Sequence, residues 1–247
     1  ALPFWAGLKP EDVQEVIMGC VLPAGLKQGP ARQAMRLAGL PDNTGATTIN
    51  KLCGSGMKAT MFAYDSIKAG TNDIVVSGGM ESMTNAPYVL DKARSGMRMG
   101  HGQVFDHMFL DGLEDAETGR LMGSFAQEVA DKRSITREDM DNYAIESLNR
   151  ANAAIDNGWF KDEIVPVTVK TRKGEVVVDT DEHPGNANNG KLPTLRRAFA
   201  KDGTVTAANA GPISEGGPAR VLAREPLVND RGLRPPPRLL VPTATPQ

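Results

Sequence analysis

The stretch ATTINKLCGSGMKATMFAYDSIKAGTNDIVVS, residues 46–77, decides the fold class. Residues 46–50 are rich in β-branched side chains and predict a strand. Residues 57–69 predict a helix that ends at Gly70, a residue type common just after helices. Residues 73–77 form a continuous apolar run, which is typical of a parallel sheet. A strand, a helix and a strand in this order predict a βαβ unit.

The preceding residues extend this alternation. Residues 13–18 are a short apolar strand candidate, and Pro30 begins a helix that Gly39 ends. We therefore expect an α/β domain. Apolar residues cover most of the surface of the helix at 57–69, so we expect that helix to be buried on all sides.

The middle of the chain has a different character. Residues 78–123 are rich in glycine and methionine and show weak periodicity, which predicts a long excursion with short helices. Loops of this length are uncommon unless they have a function. Ser124 and Gln127 have the spacing of a capping box for a helix that reaches about residue 132.

A longer helix is predicted to begin at Thr136 and to end at Gly158, with Tyr143 on its buried stripe. Residues 163–170 and 175–179 then predict the two strands of a hairpin. The last segment, residues 211–247, holds 8 of the 17 prolines, and we expect it to be irregular.

Composition excludes several classes of protein. The net charge of the 247 residues is -2 and only 5% of them are aromatic, which argues against a nucleic-acid partner or an anionic membrane surface. No apolar run approaches the ~20 residues that span a bilayer. Cys20 and Cys53 are too few for a disulfide framework or a zinc knuckle, so we expect no metal and a reducing compartment, the cytoplasm.

Cys53 stands at the predicted junction between a strand and a helix. The unpaired N–H groups and the dipole of the helix N-terminus favour a thiolate at this position. Gly54 and Gly56 leave room for a substrate carbonyl, and we expect their N–H groups to hold a developing oxyanion. Cys53 is therefore a candidate nucleophile that takes an acyl group as a thioester. The alternative is a buried cysteine that only fills space.

The same turn also permits a second interpretation. Residues 54–59, GSGMKA, match the dinucleotide-binding pattern G-x-G-x-x-[GA] between a strand and a helix. That pattern expects an acidic residue after the next strand, whereas here Asp73 precedes the strand and Glu81 lies beyond it. An oxidoreductase that uses Gly54, Ser55 and Gly56 to bind a dinucleotide therefore stays open as an alternative.

Several motifs together resemble a known family. They are NKLCGSGMKA (50–59), VVSGGMESMTNAPYVL (75–90), KARSGMRMGHG (92–102), RLMGSFAQEVA (120–130) and DGTVTAANA (202–210). In this order they resemble the N-terminal half of a thiolase of the acetyl-CoA acetyltransferase type, over about residues 8–210. The resemblance implies a thiolase-like βαβαβαββ half-domain with an inserted loop domain. We expect a thiolase half at 1–83, the loop domain at 84–203, and a return strand with a Pro-rich tail at 204–247.

The resemblance also implies an activity. Cys53 would accept an acetyl group from acetyl-CoA, and Claisen condensation with a second acetyl-CoA would give acetoacetyl-CoA; thiolysis is the reverse. No cofactor would be bound permanently, because coenzyme A and acetyl-CoA are substrates. Family membership further implies a homo-oligomer, a dimer or tetramer, with a role in fatty acid metabolism. The residues that would line the tunnel for the pantetheine arm of CoA are Leu113, Met122, Ala198, Phe199 and Ala207.

The sequence also departs from the family pattern. The family's Asn-Glu-Ala-Phe segment, Gly-His-Pro motif and Cys-x-Gly-Gly motif do not occur in these 247 residues. We therefore expect that the chain as printed does not complete the reaction, or that it is a non-catalytic thiolase-like fragment. His183 precedes a proline but is not expected to be the family histidine. His101 and His107 are expected to be surface or interface groups. Leu121 replaces a histidine that faces CoA in many relatives.

Overall fold

The computed structural model describes residues 7–187 and 189–233, except the side chain of Asn189. It separates into two compact units, one formed by Ala1–Gly119 with Ile213–Gln247 and the other by Arg120–Pro212. A division by spatial contacts is not a family domain definition, so the predicted boundaries at 83/84 and 203/204 stay a prediction. None of the described helices combines the length and the apolar character that crossing a bilayer requires.

A four-stranded sheet forms the centre of the first unit. The first strands and helices of this unit follow the predicted order: β1 (Glu15–Gly19), α1 (Pro30–Leu37), β2 (Gly45–Ile49), α2 (Ser55–Lys68) and β3 (Ile74–Gly79). Strand β1 lies between β2 and β3 and is parallel to both, with Ile17 opposite Thr47 on one side and Ser77 on the other. The βαβ prediction is therefore confirmed.

The two faces of the sheet bury different helices, because neighbouring residues in a strand point to opposite faces. Val16 and Met18 of β1 pack on the face that includes Met35 of α1. Ile17, between them, packs on the other face with Ala59 and Ala63 of α2. Small alanines bring α2 close to the sheet, and this closeness determines where the residues before α2 lie.

The expectation that α2 is buried on all sides is wrong. Met57 is 67% exposed and Phe62 is 42% exposed, although Ala59 and Ala63 are fully buried. One stripe of the helix contacts the sheet, and the opposite apolar side chains contact solvent in this chain. Their apolar character alone could not distinguish the two stripes.

The excursion after β3 contains short elements. They are β4 (Glu81–Ser82), a 3-10 turn (Met83–Asn85), β5 (Tyr88–Val89), β6 (Phe105–Asp106) and a π-helical turn, Phe109–Leu113. Strands β5 and β6 pair antiparallel to each other. The predicted excursion with short helices is therefore present in the first unit.

The second unit is built mainly from helices. It contains α3 (Met122–Lys132), α4 (Arg137–Asp156), β7 (Val167–Thr171), β8 (Gly174–Val178), α5 (Glu182–Asn186) and a 3-10 segment, Asn189–Thr194. Strands β7 and β8 form the predicted hairpin, with Val169 opposite Val176. Thr136 caps α4 as predicted, since its side chain accepts a hydrogen bond from the Asp139 backbone N–H.

Two details of these helices differ from prediction. The N-cap of α3 is Leu121, and Ser124 and Gln127 form no capping box because Gln127 bonds to residues 204 and 205 instead. Tyr143 is 80% exposed, so it does not belong to the buried stripe of α4. The buried residues of that helix are Asp141 and Ala154.

The chain then returns to the first unit. Strand β9 (Glu215–Gly216) pairs with β4, β10 (Ala219–Ala223) joins the central sheet antiparallel to β3, and α6 (Glu225–Asp230) follows. The expectation of irregular structure from residue 211 is thus wrong for residues 219–230. Pro218 precedes β10 and Pro226 lies in the first turn of α6, both positions that tolerate proline. Residues 234–247 of the predicted irregular segment lie outside the described residues.

Candidate active site

Cys53 lies in the turn that connects β2 to α2, and its side chain is exposed. The turn is tight because Leu52 has a φ of 49°, a left-handed conformation that is unfavourable for a residue with a side chain. The Asn50 side-chain oxygen accepts a hydrogen bond from the Leu52 N–H at 2.9 Å, which fixes this conformation. The sulfur is therefore presented to solvent by a backbone that cannot easily relax.

Ser55 ties the turn to the start of the helix. Its hydroxyl accepts a hydrogen bond from the Lys51 N–H at 2.8 Å and donates one to the Leu52 carbonyl at 2.6 Å. The side chain is 4% exposed. Ser55 therefore holds both flanks of Cys53, a role that the sequence pattern did not indicate.

Gly19 lets the N-terminus of α2 lie directly on the carboxyl end of β1. A Cβ atom at Gly19 would lie 2.6 Å from the carbonyl carbon of Ser55 and 2.7 Å from the nitrogen of Gly56. Any larger residue at 19 would push the first turn of α2 away from the sheet. Gly19 is thus part of the site, although no local motif marked it.

The N–H groups around Cys53 are not equivalent. Gly54 donates its N–H to the Lys51 carbonyl at 3.0 Å, and Ser55 donates to the Leu52 carbonyl at 3.0 Å. The expectation that Gly54 provides an oxyanion donor is therefore wrong, because its N–H already completes the turn. Gly56 stays the candidate donor, since N–H groups in the first turn of a helix have no partner within the helix.

Cys20 has the opposite surroundings. It directly follows β1, is 2% exposed, and its sulfur lies 3.7 Å from Oε1 of Glu81. Burial, with the negative charge of Glu81, raises the pKa of the Cys20 thiol to about 11. The Glu81 carboxylate also accepts the N–H groups of Val21 at 2.8 Å and Leu22 at 2.9 Å. Cys20 is therefore a neutral, structural thiol.

The second unit contains four of the residues expected to line the pantetheine tunnel. Met122 begins α3, while Ala198, Phe199 and Ala207 lie in the segment after the 3-10 helix. The Phe199 ring lies against Gly123, where a Cβ atom would overlap it. The structure therefore brings Phe199 to the residue beside Met122.

A cleft of about 640 Å³ adjoins this segment. Its lining combines Ala198 and Phe199 with the cationic residues Arg196, Arg197 and Lys201. Such a lining suits a ligand with an apolar part and negative charges. Leu113, the fifth expected residue, lies in the first unit, where it ends the π-helical turn. Cys53 also belongs to the first unit. The role of each of the five residues stays a prediction.

The histidines are in different environments. His101 and His183 are exposed. His107 is 5% exposed, so its expected surface position is wrong. Its Nδ1 lies 2.5 Å from Oδ2 of Asp111, and its Nε2 accepts the Ala24 N–H at 3.4 Å. His107 therefore links the π-helical turn at Asp111 to the loop at Ala24. The described residues hold no group of three or more His, Cys, Asp or Glu side chains placed to bind a metal.

A mainly parallel sheet with an exposed cysteine before a helix N-terminus defines an α/β protein with a candidate cysteine nucleophile. The family model for the N-terminal domain of thiolase matches residues 5–226. The chain belongs to the thiolase family, which confirms the resemblance and the predicted fold class.

Individual relatives agree with this assignment. The chain is 49% identical to an acetyl-CoA acetyltransferase of Chromobacterium violaceum over 93% of its length and 59% of the relative's. It is 46% identical to acetyl-CoA acetyltransferase IB of Candida tropicalis, over 92% of this chain and 57% of that one.

Solved structures have the same fold. A Bacillus anthracis acetyl-CoA acetyltransferase matches with a TM-score of 0.88 and 40% identity, over 93% of this chain and 58% of that chain. An Ascaris suum thiolase in complex with coenzyme A matches with a TM-score of 0.85 and 40% identity, over 92% and 58%. The chain thus spans less than two thirds of the length of these relatives.

These findings do not favour the dinucleotide-binding alternative. The matches are to thiolases, and the acid beyond β3 is already occupied, because the Glu81 carboxylate accepts two backbone N–H groups of residues 21 and 22. An acid that binds a ribose needs a free carboxylate at that position.

Proposed function

We propose that the protein is a thiolase-type acyl-CoA C-acyltransferase in which Cys53 carries the acyl group. The observation that supports this most directly is the exposed Cys53 in a fixed turn before the N-terminus of α2. The matched relatives are named acetyl-CoA acetyltransferases, which supports acetyl-CoA as the substrate.

The first chemical step is thioester exchange. The Cys53 thiolate attacks the carbonyl carbon of acetyl-CoA, so that a bond from Sγ to this carbon forms and the bond to the CoA sulfur breaks. The CoA thiolate leaves and takes up a proton. The negative charge on the carbonyl oxygen develops near the first turn of α2, where the Gly56 N–H is the candidate donor.

The second step joins two acetyl groups. A second acetyl-CoA loses an α-proton, and the resulting carbanion attacks the acetyl-Cys53 carbonyl to give acetoacetyl-CoA and free Cys53. This step needs a general base. We assign no residue of this chain to that role, and the family motifs expected to supply it do not occur in the printed sequence.

The second unit is proposed to bind the CoA part of the substrate. Met122, Ala198, Phe199 and Ala207 supply small or apolar surface for the pantetheine arm. The cationic side chains of the 640 Å³ cleft suit the CoA phosphates. The coenzyme A named with the Ascaris suum thiolase supports this choice of ligand.

Acetyl transfer to the protein tests the proposal. The 247-residue chain is incubated with acetyl-CoA, and intact-protein mass spectrometry follows a gain of one acetyl group. We expect the gain to map to the peptide that contains Cys53, to be lost in Cys53→Ala, and to persist in Cys20→Ala. Acetylation that persists in Cys53→Ala would overturn the proposed role.

If the folded chain binds CoA but the Cys53 thiol is never acetylated, the result supports the non-catalytic alternative. Adding acetoacetyl-CoA and CoA together tests turnover in the thiolysis direction. Release of acetyl-CoA by the chain alone would show that the printed residues suffice for the second step.

We also propose that the protein is a homo-oligomer, a dimer or tetramer, that acts in the cytoplasm on acyl-CoA substrates of fatty acid metabolism. The apolar side chains that α2 exposes, Met57 and Phe62, support self-association. The two free cysteines are consistent with a reducing compartment. Light scattering on purified protein measures the oligomer, and a monomer at all concentrations would contradict it.

A further inference from the structure

Gln127 is a buried polar residue in the middle of α3, only 4% exposed. A buried amide costs free energy unless its donors and acceptor are all satisfied. The Gln127 Oε1 atom accepts the N–H groups of Thr204 at 2.8 Å and Val205 at 3.0 Å. Its Nε2 donates to Asp131 Oδ1 at 2.8 Å and to Thr204 Oγ1 at 3.2 Å. Two N–H donors on one side require the oxygen there, so the orientation of the amide is determined.

Gly203 makes this approach possible. A Cβ atom at Gly203 would lie 2.8 Å from the Cδ of Gln127 and would overlap its carbonyl oxygen. The side chain of Gln127 therefore occupies the space that any other residue at 203 would need. Gln127 and Gly203 form one close contact between α3 and the following segment.

This contact also fixes the position of the residues expected to bind CoA. Ala198 donates its N–H to the Val205 carbonyl at 2.9 Å, and Arg197 forms an antiparallel bridge with Thr206. Because the chain doubles back here, holding residues 204 and 205 also holds residues 197 and 198. Phe199, the next residue, lies against Gly123 of the same helix.

A second anchor holds the far end of this segment. Asn209 accepts the Thr206 N–H at 2.7 Å and donates to Asp141 of α4 at 3.3 Å. Arg137 holds that carboxylate from the other side at 2.7 Å. The far end thus has its own support, so loss of Gln127 frees residues 198–205 without detaching residue 209.

We propose that Gln127 is a positioning residue that holds residues 198–205 against α3 in the geometry that binds CoA. It acts through Thr204 and Val205, and through the backbone hydrogen bond that Ala198 donates to Val205, on Phe199. This inference rests on the proposed function, because only a CoA-binding role makes the geometry of these residues important for activity. Gln127 itself is not a catalytic residue.

The test measures CoA affinity and Cys53 reactivity separately. Isothermal titration calorimetry gives the Kd for CoA, and the rate of alkylation by iodoacetamide, which does not use the CoA site, reports on Cys53. For Gln127→Ala we expect CoA to bind about tenfold more weakly or worse, while the alkylation rate stays within about twofold. Gly203→Ala attacks the same contact from the other side and should weaken CoA binding similarly.

A paired swap provides rescue. In Gln127→Glu alone, the new carboxylate lies beside Asp131 and repels it. In Gln127→Glu with Asp131→Asn, the carboxylate still accepts both N–H groups and the new amide donates to it, so CoA affinity should return to within about threefold. Ala154→Gly is the matched control, because it weakens the second half of α4 in the same unit and leaves the contacts of Arg137 and Asp141 in place.

The possible outcomes are distinct. Wild-type affinity in Gln127→Ala and Gly203→Ala overturns the inference and leaves the proposed function intact. Equal weakening in Ala154→Gly, or no recovery in the paired swap, shows a merely structural role and also overturns it. If the wild-type chain does not bind CoA, the result contradicts both the proposed function and this inference.

Discussion

Cys20 and Cys53 follow neighbouring parallel strands at the same edge of the central sheet, yet their surroundings are opposite. Cys20 comes directly after β1, is 2% exposed and lies 3.7 Å from a Glu81 oxygen. Cys53 comes four residues after the end of β2, is exposed, and precedes the N-terminus of α2. The position after a strand is therefore not what makes a cysteine a candidate nucleophile.

The difference follows from charge and water. Desolvation and a nearby carboxylate both disfavour a thiolate, and together they raise the pKa of Cys20 to about 11. Cys53 is instead exposed to solvent and lies just before the N-terminus of α2. Three residues, including Lys51, separate the end of β2 from Cys53, whereas Cys20 directly follows β1. The Cys53 sulfur is therefore displaced from the edge of the sheet toward the helix.

Alkylation should reveal the largest difference between the two cysteines. In the folded protein at pH 8, iodoacetamide should label Cys53 at least about 100-fold faster than Cys20, because Cys20 is buried and remains protonated. Peptide mapping with isotopic reagents before and after denaturation measures both rates. Comparable labelling of both cysteines in the native protein would break the comparison.

Removing Glu81 should weaken the fold around Cys20. Glu81→Ala leaves the N–H groups of Val21 and Leu22 without their acceptor, and we expect a loss of about 2–3 kcal/mol in the free energy of unfolding. Glu81→Gln keeps one carbonyl oxygen and should cost about half as much. Urea denaturation measures both. In the Gln variant the pKa of Cys20 should fall, since the carboxylate charge is gone, and unchanged stability in both variants would contradict the assigned role.

Alkaline pH should weaken the fold through Cys20. Its folded pKa is raised from 9.0 to about 11, so the stability of the folded state is complete below pH 9 and declines as pH rises toward 11. We expect on the order of 1–2 kcal/mol from this group. Denaturation curves at pH 8 and 10.5 measure the decline. It should disappear in Cys20→Ala and persist in Cys53→Ala, which is the matched control.

The left-handed Leu52 should give the smallest effect. Leu52→Gly relieves the steric cost of a positive φ but loses chain entropy, so we expect a net change within about 0.5 kcal/mol. Leu52→Val should destabilise by about 1 kcal/mol, because a β-branched side chain fits this conformation less well. Thermal denaturation of both variants checks this order. A Val variant as stable as the Gly variant would show that the turn before Cys53 is not constrained.

Local signals predicted most of the first unit. Pro30 and Gly39 marked the ends of α1, and the apolar runs at 13–18 and 73–77 located β1 and β3. These signals succeed because proline, glycine and strand alternation act within a few residues. The same reasoning failed for residues 219–230, where the paired partner of β10 is β3, more than a hundred residues away in the chain.

The site was predicted only in part. Cys53 was found from its junction and from the family motifs, and its exposure agrees with a nucleophile. Gly19 and Ser55, which shape the turn of Cys53, were missed, and so was Gln127, our proposed positioning residue, because each acts through a contact made by folding. The one available signal for Gly19 in the sequence was its position at the end of a strand, directly before a cysteine.

The sequence alone determined that this chain alternates strands and helices, that it belongs with the thiolases, and that Cys53 precedes a helix. Those properties depend on residue types at short spacing. Only the tertiary structure decided that Glu81 lies beside Cys20, that the Gly54 N–H is already used, and that Gln127 holds residues 204 and 205. Burial and hydrogen-bond partners come from residues distant in the chain, and short-range patterns carry no information about them.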